Sequence, residues 1–314
     1  MDPAGAPGEP PALPAPPAHP RRLVFLGTPE MAVAPLEALH GAGFDVALVV
    51  TGPDKRRGRG SATTPNPVKL AALGLGLPIS HDIADVAGAG ADLGVVVAFG
   101  QIIRRPVLEA LPMVNLHFSL LPRWRGAAPV ERALLAGDEH TGVCVMAVEE
   151  GLDTGGVYAC EEIAIRRSST ATELGEQLTG IGSRLLVEAL TDGLGTPEPQ
   201  VGEPTYAHKL GPDDRHLRWD RSADELDRIV RVGGAWTTFR GKRLKVIEAK
   251  LDTDPAPLGP PGSLRGTQVA AATGSLHLVT VQPEGKGPTA AEPWLRGARV
   301  EPGERLGDHG SEPT

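Results

Sequence analysis

Apolar runs alternate with helical patterns along the first two hundred residues of this 314-residue chain, and this alternation limits the fold strongly. The runs include RLVFLG at 22–27, DVALVVT at 45–51 and ADLGVVVAFG at 91–100. Continuous apolar runs of this length are typical of strands covered on both faces, as in a parallel sheet. The alternation therefore predicts an α/β fold with an open, mostly parallel, twisted sheet of Rossmann-like type.

A segment rich in glycine and proline, DGLGTPEPQVGEPT at 192–205, predicts a linker after this first domain. Beyond it, SADELDRIVRV predicts a helix capped by Ser222, and KRLKVIEAKL, TQVAAAT and SLHLVTVQP predict short strands. We expect an α/β domain over residues 21–200 and a small C-terminal β-barrel of OB-like type over residues 205–305.

The first twenty residues carry eight prolines and no apolar core. This composition predicts a disordered proline-rich tail over residues 1–20 rather than a signal peptide. No apolar run reaches the roughly 18 residues that a membrane span requires. We therefore expect a cytoplasmic protein that has no membrane partner.

The two cysteines, Cys144 and Cys160, match no metal-ligand spacing. The turn EEGLDTGG between them is compatible with a hairpin that brings them close, so a cross-strand disulfide is one alternative. In a reducing cytosol the expectation is two buried free thiols.

The net charge of -8 argues against a protein held to nucleic acid by bulk charge. The basic residues are unevenly distributed, however, and the C-terminal third is far less acidic than the rest. One basic cluster lies in the loop KRRGRG at 55–60, and a second lies around residues 240–245. By itself, each cluster has a plain alternative interpretation as a solvated loop or strand face.

The stretch VNLHFSLLP at 114–122 carries the strongest candidate for a site. Val114, Leu116 and Phe118 alternate with three polar residues, so period two predicts an apolar face and a polar face on one strand. The polar face carries an amide, an imidazole and a hydroxyl at the end of a strand, where ligands bind in open α/β sheets. Hydrogen bonding to neighbours is the structural alternative, because buried polar groups require partners.

VNLHFSLLPRWRGAAPV at 114–130, followed by EEGLDTGG at 149–156, resembles the folate-dependent formyltransferases. The family's Asn-x-His strand and Ser-Leu-Leu-Pro turn match Asn115, His117 and 119–122, and its loop aspartate matches Asp153. FLGTPEMA, PDKRRGRG and TYAHKL are similar to the family members that act on methionine carried by initiator tRNA. The resemblance covers about residues 22–299.

The resemblance implies transfer of a formyl group from 10-formyltetrahydrofolate to the α-amino group of methionine on initiator tRNA. Asn115, His117 and Asp153 are the implied catalytic residues. Amine attack on the formyl carbon creates an oxyanion, which the amide of Asn115 and a protonated His117 are able to stabilise. Asp153 would orient His117, favour its charged form or accept the ammonium proton. A free α-amino group is already partly neutral near pH 7, so no metal is required.

Two sets of binding residues are also implied by the resemblance. The folate is expected to contact Ser119, Leu120, Leu121, Pro122, Phe99, Gly100 and Ile102, with core packing as the alternative for Phe99. The tRNA is expected to contact Lys55, Arg56, Arg57, Arg59, Arg240, Lys242, Arg243 and Lys245, with Arg231 extending the basic path; such phosphate contacts position the RNA rather than read its bases.

Three other functions remain open at this point. The same chemistry with glycinamide ribonucleotide as acceptor is disfavoured by the second domain. An amino-sugar nucleotide is a closer alternative acceptor, because those enzymes carry a second domain. A non-catalytic RNA-binding protein on a formyltransferase scaffold is the alternative from another class. We expect a monomer.

Overall fold

The computed structural model of the chain describes residues 12–56, 63–252, 259–301 and 303–307, with only the backbone of Lys55 and Arg56. The chain forms two compact units. The first comprises Met1–Ala127, Gly142–Ile163 and Gly175–Tyr206, and the second comprises Ala128–Thr141, Ala164–Leu174 and Ala207–Thr314.

Up to residue 192, helices or 3₁₀ turns separate most of the strands of the main sheet, as the sequence predicts. The strands are β1 (Arg22–Gly27), β2 (Asp45–Val50), β3 (Lys55–Arg56), β4 (Thr63–Thr64), β5 (Ile79–Ser80), β6 (Leu93–Val97), β7 (Met113–His117), β8 (Arg125–Gly126), β9 (His140–Ala147) and β10 (Val157–Ala164). The helices are α1 (Val33–Gly41), α2 (Pro67–Gly74), α3 (Arg105–Ala110), α4 (Pro129–Ala136) and α5 (Ala171–Asp192), with 3₁₀ turns at Glu30–Ala32 and Ile83–Gly88.

Seven of these strands form one sheet in the order β10-β9-β7-β6-β1-β2-β5. The pairs from β7 to β5 are parallel, and β7 pairs with β9 in the antiparallel direction. All five residues of β6 are buried, as expected for a strand covered on both faces. The predicted mostly parallel α/β sheet is confirmed, and β7, which carries Asn115 and His117, lies inside it.

The second unit carries a separate antiparallel sheet, which confirms the predicted C-terminal β-domain. The described elements after residue 205 are β11 (Tyr206–Ala207), β12 (Trp236–Phe239), β13 (Lys242–Leu251), β14 (Leu264–Arg265), β15 (Gln268–Ala270), β16 (Ser275–Pro283), β17 (Thr289–Ala290), α6 (Ala223–Val232), α7 (Ala291–Ala298) and a 3₁₀ turn at Asp213–Arg215. The sheet runs β12-β13-β16-β15-β14, and β17 also pairs with β16.

Local signals explain where several helices begin. The side chain of Asn66 accepts a hydrogen bond from the Lys69 amide, and Pro67 follows at the first helical position of α2. Ser222 and Glu225 form a complete capping box at the start of α6, as predicted. Each unit has a buried apolar cluster of its own, with Leu26 in that of the first and Trp219 in that of the second.

The expectation of two buried free thiols is wrong. Cys144 is fully buried in β9, whereas Cys160 is exposed in β10, and the two sulfur atoms form a disulfide. The physical reason is the neighbouring position of β9 and β10 in the sheet, which brings the two Cα atoms to 4.1 Å.

Part of the proline-rich segment contacts the first unit. Leu13 packs against the buried cluster that contains Leu26, and the carbonyl of Ala18 accepts a hydrogen bond of 2.7 Å from the Leu194 amide. Residues 1–11 of the predicted tail lie outside the described residues. No helix in the described ranges combines the length and the apolar character needed to cross a membrane.

Candidate active site

The candidate site lies in the first unit, where β7 ends and the loop after it begins. Asn115 and His117 are two residues apart on β7, so their side chains project to the same face. Asn115 is half-buried, and His117 is 5% exposed. In the register with β9, Asn115 lies opposite Met146 and His117 lies opposite Cys144. The predicted polar face of this strand therefore exists, and it ends at an imidazole that is almost completely buried.

His117 has an acceptor near each ring nitrogen, and the nearer one, the Trp124 carbonyl, determines its tautomer. Its Nε2 lies 2.9 Å from the carbonyl oxygen of Trp124, and its Nδ1 lies 3.7 Å from Oδ2 of Asp153. Because a carbonyl oxygen only accepts hydrogen bonds, Nε2 carries the proton that it donates. In the neutral ring, Nδ1 then has a free lone pair directed to the side of Asp153.

Burial lowers the pKa of His117 below its ordinary value of 6.5, while the charge of Asp153 and the hydrogen bond to Trp124 act in the opposite direction. Removal from water disfavours the charged imidazolium more than these two neighbours favour it. His117 is therefore neutral near pH 7 in the protein without substrates. This refines the expectation of a protonated His117, because a proton must first reach Nδ1.

Asp153 is held in a constrained loop between β9 and β10. Its φ of 51° lies in the left-handed region, which asparagine and aspartate tolerate better than most residues. Its Oδ2 accepts a hydrogen bond of 2.7 Å from the Gly126 amide. Two residues on, a Cβ atom on Gly155 would lie 2.0 Å from the carbonyl oxygen of Ala147, so this position requires glycine.

The Ser119–Pro122 turn is built by internal hydrogen bonds. Ser119 is fully buried and donates to the carbonyl of Arg123 at 2.5 Å, so its hydroxyl closes the turn. The three residues after it, 120–122, are half-buried, and the peptide bond before Pro122 is cis. Residues 120–122 are thus the accessible part of this turn.

The predicted folate contacts in the loop at 98–103 differ in their exposure. Phe99 is 5% exposed and belongs to the same buried cluster as Leu26, which agrees with the core-packing alternative for its ring. Gly100 is exposed at a φ of 73°, and Ile102 is 83% exposed. Gly100 and Ile102 are therefore accessible to a ligand, whereas the ring of Phe99 anchors the loop in the buried core.

Sequence reasoning missed residues that hold the site together. Gln200 and Thr205 lie in the segment interpreted as a linker, and both bond to residues around the candidate catalytic groups. Thr205 Oγ1 accepts from the Trp124 amide at 2.9 Å, and the Gln200 side-chain amide donates to the carbonyls of Asp153 and Gly155. A glycine- and proline-rich pattern contains no signal for such contacts, because they depend on where the chain returns.

The predicted RNA-contacting loop is described only in part. Lys55 and Arg56 form β3, whose backbone pairs with β4. Arg57 and Arg59 lie outside the described residues.

The basic residues of the second unit differ in what they contact. Arg240 donates to both carboxylate oxygens of Glu304 and to the carbonyls of Ala298 and Arg299, so its guanidinium secures the end of α7. Arg231 is similarly engaged, with Asp227 at 2.7 Å and the carbonyl of Ser169 at 2.9 Å.

The predicted contacts on β13 are exposed. The guanidinium carbon of Arg243 lies 4.4 Å from the ring centroid of Trp236, and Lys245 lies opposite Trp236 in the strand register. Arg243 and Lys245 alternate with buried Leu244 and share the outward face of the strand, whereas Lys242 is exposed at its start. The structure thus brings two of the predicted basic residues together around one aromatic ring.

Comparisons with known proteins identify the family to which the chain belongs. The family profile described as "Formyl transferase" matches residues 21–190, and that of "Formyl transferase, C-terminal domain" matches residues 209–299. A protein of Cereibacter sphaeroides named methionyl-tRNA formyltransferase is 42% identical over 294 residues, which is 88% of this chain and 96% of that protein. A protein of Ruegeria pomeroyi with the same name is 42% identical and covers 91% of this chain and 100% of its own length.

Solved structures share the fold at low sequence identity. HypX from Aquifex aeolicus, solved with tetrahydrofolic acid, is 16% identical with a TM-score of 0.63 over 88% of this chain and 47% of its own. An N-formyltransferase from Helicobacter canadensis, solved with folinic acid and dTDP-3-aminofucose, is 15% identical with a TM-score of 0.62 over 81% of this chain and 97% of its own.

Proposed function

Because the chain belongs to the formyltransferase family, we propose that it transfers the formyl group of 10-formyltetrahydrofolate to the α-amino group of methionyl-tRNA. The product serves translation initiation, and the acceptor is the initiator tRNA. The observation that carries the proposal is the pairing of His117 with Asp153 beside Asn115, in a chain about 42% identical to methionyl-tRNA formyltransferases over most of its length.

Asn115 and His117 are the proposed partners of the oxyanion that forms when the amine attacks the formyl carbon. The amide of Asn115 donates from its NH₂ group without any change of protonation state. Loss of one such donor typically costs about 10²–10³ in rate. The half-exposed position of Asn115, beside a buried imidazole, fits a donor that a substrate is able to reach.

His117 and Asp153 are the proposed proton-handling pair. The neutral imidazole offers the Nδ1 lone pair, because its Nε2 proton is engaged by the Trp124 carbonyl. Nδ1 takes the proton that the attacking amine loses, directly or through water, and becomes an N–H donor beside the oxyanion. Asp153, 3.7 Å away, stabilises the imidazolium so formed.

The folate is proposed to bind along two segments of the first unit. Residues 120–122 border it beside the buried Ser119, which closes their turn. The accessible Gly100 and Ile102 line the side of the pterin ring, with Phe99 supporting that loop. The chemistry of the family supplies 10-formyltetrahydrofolate as the formyl donor. The proposed catalytic domain covers residues 21–200.

The tRNA is proposed to contact basic residues in both domains. Lys55, Arg56, Arg57 and Arg59 would meet the acceptor stem. In the β-domain at 205–305, Lys242, Arg243 and Lys245 are the stronger candidates, since Arg240 and Arg231 already hold intramolecular partners. We also propose that the protein acts as a cytoplasmic monomer.

An acceptor competition tests the proposed function. The purified protein is supplied with formyl-labelled 10-formyltetrahydrofolate and three acceptors: charged initiator tRNA, glycinamide ribonucleotide and an amino-sugar nucleotide. We expect label on the methionine of the tRNA alone. Label on either small molecule and none on tRNA would refute the proposal, whereas tRNA binding with no transfer to any acceptor would indicate a non-catalytic RNA-binding protein.

A further inference from the structure

The side chain of Gln200 lies between Arg125 and the loop that carries Asp153, and it uses all of its hydrogen-bonding positions there. Its Nε2 donates to the carbonyl of Asp153 at 2.9 Å and to that of Gly155 at 2.8 Å. Its Oε1 accepts from Nε of Arg125 at 3.0 Å and from Nη2 of the same guanidinium at 2.7 Å. Two donors and two acceptor positions are all that a carboxamide has.

The chemistry of the partners leaves only one orientation for this carboxamide. The guanidinium of Arg125 has donors and no acceptor, so the oxygen of Gln200 must face it. The two loop carbonyls only accept, so the nitrogen must face them. Arg125 therefore fixes the orientation in which Gln200 is able to hold the loop that carries Asp153.

The same loop requires support from outside. Asp153 has a left-handed backbone with a φ of 51°, and such conformations persist only where surrounding contacts determine them. The carboxylate of Asp153 is held by the amide of Gly126, the neighbour of Arg125 in β8. The two-residue strand β8 is thus connected to Asp153 in two ways: Gly126 contacts its carboxylate directly, and Arg125 acts on its backbone carbonyl indirectly, through Gln200.

We propose that Gln200 is a positioning residue that, oriented by Arg125, holds the backbone of Asp153 so that its carboxylate stays beside Nδ1 of His117. This inference rests on the proposed function, in which that carboxylate stabilises the imidazolium. Gln200 acts through Asp153 and has no role in proton transfer itself. A misplacement of about 1 Å in a catalytic group costs up to about 10²-fold in rate, so loss of this hold reduces kcat more than folate binding.

Two substitutions separate the parts of this arrangement. Gln200→Ala removes all four hydrogen bonds, and Gln200→Glu keeps an acceptor for Arg125 while removing the donors to the loop carbonyls. We expect both variants to lower kcat by about 10- to 100-fold, with the KM for 10-formyltetrahydrofolate within about twofold of wild type. The matched control is Gln177→Ala, because Gln177 is exposed on α5 and belongs to none of the proposed binding or catalytic groups. The control retains wild-type kinetics.

A double-mutant cycle with Asp153→Asn decides between positioning and general structural support. In the Asp153→Asn background, Gln200→Ala changes kcat by less than about twofold if Gln200 acts through the carboxylate. An equal loss of kcat in both backgrounds, or wild-type kcat in either single Gln200 variant, would overturn the inference.

Hydrogen exchange supplies a readout that needs no turnover. In Gln200→Ala, amides at 151–156 exchange faster, while those of β1 and β6 keep their protection. Unchanged exchange at 151–156 overturns the inference. If the wild type formylates no tRNA, the proposed function fails, and the exchange experiment still tests the hold on Asp153.

Discussion

Removing the charge of Asp153 while keeping the shape of its side chain tests whether the carboxylate stabilises a charged His117. In Asp153→Asn, the amide oxygen is still able to accept the hydrogen bond that Gly126 donates at 2.7 Å, so the loop keeps its main side-chain contact. The negative charge beside His117 is lost. The substitution therefore separates electrostatic stabilisation of the imidazolium from positioning of the loop.

The geometry gives the size of the effect. Opposite unit charges 3.7 Å apart interact by about 4 kcal/mol at an effective dielectric constant of about 20. This value is suitable because the side chains of His117 and Asp153 are 5% and 16% exposed. Full loss of that stabilisation in the transition state corresponds to about 10³-fold in rate. Since the amide dipole and nearby water replace part of it, we expect kcat to fall by about 10²–10³-fold.

Single-turnover transfer of labelled formyl to charged initiator tRNA measures this step without interference from product release. The matched control is Glu37→Gln, which removes an exposed carboxylate charge on α1 and is expected to leave the rate unchanged. A single-turnover rate constant for Asp153→Asn within about threefold of wild type, in a protein with an unchanged melting temperature, would refute the electrostatic role of Asp153.

Three further predictions concern the pH dependence, the disulfide and the RNA surface. Because burial lowers the pKa of His117 in the folded state, the unfolded chain binds more protons below about pH 6.5. Stability therefore falls as the pH drops below that value, and urea unfolding of His117→Asn should show a weaker decrease between pH 7.5 and 5.5; an identical decrease would contradict the assignment. Cys144 and Cys160 are separated by 16 positions, so reduction should cost about 3 kcal/mol. Cys160→Ser should show the same loss without reductant and none further with it, and an unchanged urea midpoint would count against a stabilising disulfide. Arg243→Gln and Lys245→Gln should each raise the KM for tRNA and reduce the slope of log affinity against log salt by about 1, with the KM for folate unchanged; unchanged salt slopes would exclude phosphate contacts there.

Local sequence signals account well for the framework of both units. The alternation around β7 predicted a polar face on a strand of the α/β sheet, and the structure confirms that strand at Met113–His117. The capping box at Ser222 predicted the start of α6. These features are predictable from sequence because each depends only on residues that are close together along the chain.

The chemical state of the site was not readable in this way. The sequence suggested a charged His117, but the pKa of an imidazole depends on how much water surrounds it, and burial arises from packing by distant segments. Likewise, nothing in the basic pattern around residue 240 distinguishes Arg240, which is engaged with Glu304, from Arg243, which lies outward over Trp236.

The segment at 192–205 shows most clearly which contacts a local sequence pattern does not predict. Its glycines and prolines indicate irregular backbone, and this is correct as a local statement, since β11 begins only at Tyr206. Yet Gln200 and Thr205 meet residues that lie between 45 and 83 positions away in the sequence. Motif and periodicity pointed to the groups that are proposed to react. Only the tertiary structure decided what holds them, because such contacts form between segments that are distant in sequence.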